Sequence, residues 1–124
     1  KYTSDFPNLK NVIHISKGLS FEMSGWAIDF ENFEIPPKAL ICFQSINSEQ
    51  KWFLDTTRYI RPDVVDFFSE QTFIYAGISA KSSLDNIPPG QYKFLIAQVS
   101  DREIIVTDSQ IQVVVGTIDA YLNE

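Results

Sequence analysis

The chain has 124 residues, 44% hydrophobic and 14% aromatic, which is the size of one domain and enough apolar mass for a core without disulfide or metal staples. Sixteen acidic residues against ten basic give a net charge of -6, and no basic run occurs, so phosphate backbones and nucleic acid are disfavoured partners. No apolar stretch approaches the roughly 18 residues of a membrane span, so direct insertion by this segment is not expected.

In chain order, Lys1 to Leu9 is polar with one proline and reads as a lead-in. Asn11 to Ser16 is a short β-rich run closed by the Lys17-Gly18 turn. Leu19, Phe21 and Met23 then alternate with Ser20, Glu22 and Ser24, the period of a half-buried strand. The phase switches at Gly25, where a bulge is expected, and Trp26 and Ile28 follow on the other face. Asp29 to Lys38 is an acidic loop with Pro36-Pro37, after which Ala39 to Ile46 is apolar on both phases, a covered strand. Asn47 to Gln50 turns this strand into Lys51 to Asp55, making a hairpin.

Arg61-Pro-Asp-Val-Val-Asp-Phe-Phe68 carries the one helical signal: Pro62 suits the first helical position, Asp63 favours the dipole, and Val64, Val65 and Phe68 share a face. Phe73 to Ala80 reads as a strand, Ile87-Pro-Pro-Gly90 as a turn, and Gln91 to Val99 as a second covered strand. After the turn at Ser100 to Glu103 comes a last strand to Val115, interrupted near Asp108-Ser109. The pattern predicts an all-β, immunoglobulin-like sandwich of about seven strands with one short helix. Tyr92, just after a sharp turn at the entry to a covered strand, suits a tyrosine corner or an ordinary cross-strand tyrosine. The chain opens on Lys1 without a signal-like segment, so residues 1–124 read as one domain, core about 10–115, excised from a larger protein.

The residues that carry chemistry are sparse. His14 stands alone between Ile13 and Ile15 on a strand, and Cys42 sits in the apolar run Ala39 to Phe43, where it reads as a small buried hydrophobe. Asp29, Glu31 and Glu34 place three acids in six loop residues. They form a solvated loop, a calcium site built from clustered oxygens, or, remotely, a hydrolase pair of the glycosidase kind. Trp26, Trp52, Tyr59, Tyr75 and Tyr92 offer rings either to a core or to a sugar, and Trp52, beside a polar turn, is the one expected to be exposed. Arg58 and Arg61 are the densest positive charge; they either contact an anion or a partner, or pair with Asp55, Asp63 or Asp66 to pin the helix. The candidate ligand-binding residues are therefore Trp52, Tyr59 and Arg58, and the candidate metal ligands Asp29, Glu31 and Glu34; no cofactor is implied.

Several segments in order, Phe21-x-x-Ser24-Gly-Trp-Ala-Ile-Asp29, Arg58-x-x-Arg61-Pro-Asp-Val-Val65, Tyr75-Ala-Gly-Ile78 and Ile87-Pro-Pro-Gly-Gln-Tyr-Lys-Phe-Leu-Ile96, resemble a β-sandwich accessory module of bacterial cell-envelope sugar-modifying proteins. In those proteins the module adjoins membrane glycosyltransferases or other polysaccharide-modifying enzymes. The resemblance spans roughly residues 19 to 115, and its matching positions include Gly25, Trp26, Asp29, Arg61, Asp63, Gly77, Gly90 and Tyr92. It implies an extracytoplasmic setting, in the periplasm or at the cell surface, and a non-catalytic role. The partners it implies are other domains of the parent protein or a glycan. A carbohydrate-binding module using exposed aromatics is the alternative.

Overall fold

A computed structural model describes residues 12–16 and 20–116. The expectations for the lead-in, for Asn11, for the Lys17-Gly18 turn and for Leu19 lie outside that set. Among the described residues eight strands form: β1 (Val12–Ser16), β2 (Ser20–Trp26), β3 (Lys38–Ser45), β4 (Lys51–Asp55), β5 (Thr57–Tyr59), β6 (Gly77–Ser83), β7 (Gly90–Val99) and β8 (Ile104–Gly116). Two sheets pack face to face, ordered β1-β8-β7-β3-β4 and β2-β6-β5. This is an all-β sandwich with the strand arrangement of immunoglobulin domains.

The core explains why no disulfide is needed. Immunoglobulin domains of antibodies bridge the sheets with a disulfide whose second half lies two residues after the corner tyrosine. Here that position is Phe94 on β7, and its ring meets Phe21 of β2 at 6.3 Å, while Phe21 meets Phe43 of β3 edge-on at 5.6 Å. Rings of this size contribute about 1.5–3 kcal/mol each by burial, so a phenylalanine trio links the sheets without a covalent bond. The corner itself is present, because the Tyr92 hydroxyl donates to the Pro88 carbonyl and its ring packs on Phe43. Cys42 is buried, and burial pushes its thiol pKa up, as expected for an inert packing residue.

Local chemistry sets most boundaries. The β3–β4 hairpin closes with the Ser45 amide donating to the Gln50 carbonyl. Helix α1 (Pro62–Phe68) starts on Pro62 with Asp63 in its first turn, and stops at Ser69, which takes a left-handed φ of 54° and donates its amide to Val65. Two expectations need correction. Pairing of β2 with β6 runs unbroken from Ser20 to Trp26, so Gly25 makes no bulge; the phase changes because the strand ends, Ala27 stays with the main core and Ile28 turns into a second, smaller one. The strand expected from Phe73 begins instead at Gly77, because the Glu70 carboxylate accepts the Thr72 amide and starts a 3-10 turn over Gln71–Phe73. The interruption expected near Asp108-Ser109 is a bulge inside one continuous strand, β8. The register slips between Phe94 and Leu95, Gln110 takes a φ of 67°, and the Ser109 hydroxyl replaces a ladder bond by donating to the Phe94 carbonyl.

Candidate functional site

Chain direction gathers the irregular segments at one end. Strand β2 runs to that end, β3, β6 and β8 leave it, and β7 returns to it, so residues 27–37, 60–76 and the turn 100–103 lie together. There the second core forms from Ile28, Val64, Phe73 and Ala76, with Trp26, Ile35 and Phe68 partly buried against it.

Above this small core sits an aromatic surface. Phe68 contacts Trp26 at 5.7 Å, Phe30 at 5.3 Å, Phe67 at 4.8 Å and Phe73 at 5.8 Å; Phe33 stacks obliquely on Phe73 at 4.9 Å. The rings form one connected network, yet Phe30 is 52%, Phe33 54% and Phe67 80% exposed. Three large aromatic side chains left in water, joined through Phe68 and Phe73, are unusual on a surface that has a core available nearby. Phe33 also holds a left-handed φ of 58°, which for a bulky L-residue costs about 1 kcal/mol or more. The local cause is visible: Asn32 donates its backbone and side-chain N–H groups to the two Asp29 carboxylate oxygens, at 3.0 and 2.8 Å, and Asp29 and Glu34 exchange backbone bonds across the tight loop. Beside the rings a groove of about 380 Å³ opens between the sheets, lined by Trp26, Ile28, Phe30, Phe68, Ile96 and Thr107, with the Gln98 side chain in its wall.

The polar residues of this end hold the frame. Arg58, on β5, directs all five N–H donors inward: two to Pro36 O, one each to Ala27 O and Ala76 O, and one to Gln98 Oε1, at 2.9–3.1 Å. Among the described residues it has no carboxylate partner, and burial drops its pKa to about 10. The expected pairing with an aspartate is therefore corrected for Arg58, and no donor remains on it for a ligand. Arg61 does pair, in a bidentate contact with Asp63, and also donates to the Gly25 carbonyl at 3.3 Å. Gly77 lies where these chains cross; a Cβ there would stand 2.6 Å from Tyr59 O and 2.9 Å from Arg61 Cγ.

The remaining sequence candidates do not assemble. Trp52 turns inward from β4, edge-on to Tyr92 at 5.6 Å, because the alternation of β4 places Trp52 and Leu54 inside; its neighbour Phe53 is the exposed ring, at 55%. Tyr59 is half-buried on the other sheet, with its hydroxyl near Gly25 O and Arg61. Asp29 is buried, and although burial alone raises its pKa, the Asn32 side-chain and backbone bonds, the Glu31 amide and the Arg102 charge together hold it below the ordinary value. Glu34 pairs with Arg102 at 2.8 Å, while Glu31 is exposed. Among the described residues no three His, Cys, Asp or Glu side chains gather as a metal site, so the calcium triad is not formed. His14 lies exposed on β1. A second cavity, about 490 Å³, is lined by Glu22, Met23, Asp55, Thr57, Ala80 and Lys81; its walls are more polar than those of the aromatic groove.

The sequence did carry a signal for the aromatic surface, in Asp29-Phe-Glu-Asn-Phe-Glu34 and Asp66-Phe-Phe-Ser-Glu70. Phenylalanines flanked by acids outside any strand have no periodic face to bury, but the acids draw attention to charge instead. No protein-family model matches the chain, and neither does any curated protein or solved structure.

Proposed function

We propose that this domain is a non-catalytic interaction module, the accessory part of an extracytoplasmic protein that modifies envelope glycans, and that it works through its aromatic end. The observation that carries this reading is the connected ring surface of Phe30, Phe33, Phe67 and Phe68, exposed beside a groove in a domain that already has two filled cores. An apolar surface of that kind gains most by covering itself with a partner. The envelope setting is supported by the resemblance, whose markers Trp26, Asp29, Arg61, Asp63 and Gly77 all belong to the segments that build this end. The polar groups that would otherwise be candidates for chemistry, Asp29, Arg58 and Glu34, are engaged in holding it.

The test places the double substitution Phe30→Ser/Phe67→Ser in the parent protein. The domain keeps its melting temperature and the parent's sugar-modifying output falls several-fold. Unchanged output with the domain folded contradicts the proposal. A second reading is favoured by the groove alone, where Trp26 lies beside Thr107 and Gln98: a glycan ring stacked on the indole. Retention of defined glycans on an array, lost in Trp26→Leu, would select it.

A further inference from the structure

Resting on that reading, we infer that the partner of the aromatic end is a protein segment that is both basic and apolar: a peptide stretch whose large apolar side chain enters the groove while flanking lysines or arginines meet the acidic rim. Electrostatic complementarity is the reason. Residues 26–34, 60–75 and 100–103, which surround the rings, contain eight carboxylates against two arginines. Both arginines are already neutralised within the domain, Arg61 by Asp63 at 2.7 Å and Arg102 by Glu34 at 2.8 Å. Glu31 follows Phe30 directly and Asp66 precedes Phe67; both acids are exposed and neither has an ion-pair partner among the described residues. Two of the three exposed rings, Phe30 and Phe67, are thus each beside an uncompensated negative charge.

This pairing decides between occupants. An anionic lipid surface or an acidic segment would bring like charge against Glu31 and Asp66, which is repulsive at close range. A neutral glycan would leave the rim uncompensated and meet phenylalanines, whose rings lack the polar edge that indole and phenol offer. A basic apolar segment satisfies both features: it covers the rings, and its cations neutralise the rim with steering at low salt. The strained Phe33, held outward beside Phe73, fits a surface shaped for contact rather than for the domain's own stability.

The experiment titrates the 124-residue chain with a fluorescent peptide alternating lysine with leucine and phenylalanine, its counterpart with glutamate for every lysine, and vesicles of phosphatidylcholine alone. The inference expects the basic peptide to bind at least about tenfold tighter than the acidic one, with affinity falling several-fold as salt rises past about 0.15 M. Phe30→Ser/Phe67→Ser should weaken it about tenfold, and Glu31→Gln/Asp66→Asn should erase most of the preference for basic peptide. Glu49→Gln/Asp85→Asn, at the opposite end of the sandwich, should change neither. Equal binding of both peptides, equal loss from the two charge variants, or binding of vesicles without peptide overturns the inference. If no peptide binds while Phe30→Ser/Phe67→Ser still impairs the parent protein, the surface stands and its basic occupant is wrong; if neither effect appears, both fail.

Discussion

Arg58 separates a structural from a ligand-binding account most sharply. In Arg58→Met the aliphatic stem remains and the guanidinium goes. Ala76 O keeps its bond from the Ala27 amide, but Ala27 O and Pro36 O lose their partners, and both residues are buried. Each orphaned buried carbonyl costs about 1–3 kcal/mol, while removing a desolvated cation returns part of that. The net expectation is a loss of about 2–4 kcal/mol, which for a domain of this size lowers the melting temperature by about 10 °C. Arg58→Lys keeps the charge, but a single ammonium cannot span three carbonyls and the Gln98 oxygen, so it should recover less than half of the loss. Thermal and urea unfolding followed by tryptophan fluorescence measures both. A melting temperature for Arg58→Met within about 2 °C of wild type would refute the reasoning and return Arg58 to the ligand-binding candidates.

Four further outcomes follow from the geometry. Gly77→Ala should lose about 2–3 kcal/mol in urea unfolding, because its new methyl meets the Tyr59 carbonyl, a backbone atom that cannot rotate away. Tyr92→Phe should lose about 1 kcal/mol through the corner bond to Pro88, with no change in fold by circular dichroism. Arg61 holds the Asp63 carboxyl down to about 2 from 3.8, so the pair stabilises fully above pH 4 and its contribution fades as pH falls toward 2; Asp63→Asn should melt with a shallower pH dependence over that window than wild type. Phe33→Asn should stay within about 1 kcal/mol of wild type in thermal unfolding, since relief of the left-handed strain offsets the lost contact with Phe73.

The features legible in the sequence were those with local causes. Pro62 and Asp63 announce α1, Pro88-Pro-Gly90 before Tyr92 announces the corner, and the apolar run around Cys42 announces a covered strand. What escaped depends on partners far away in the chain. Strand β5 has three residues and pairs only with β6. The bonds of Arg58 reach 18 to 40 residues away, so nothing in its neighbourhood distinguishes it from a surface arginine. Trp52 reads as exposed in the sequence because a five-residue strand, Lys51–Asp55, offers apolar residues on both phases, and only the Tyr92 ring opposite decides which face is inside. The aromatic end was hidden for a related reason. Its rings come from a loop, a two-turn helix and a 3-10 turn, and no single segment shows the surface they make together.

The most direct test of that surface is residue-resolved. Amide shifts of the isotopically labelled chain, recorded while the basic leucine–phenylalanine peptide is added, should move in residues 26–34 and 60–75 and leave Glu49, Asp85 and the Glu22–Lys81 groove unperturbed. Shifts centred instead on the outer face around Phe53 and Val106, or on the Glu22–Lys81 groove, would contradict the assignment of the interaction surface to the aromatic end.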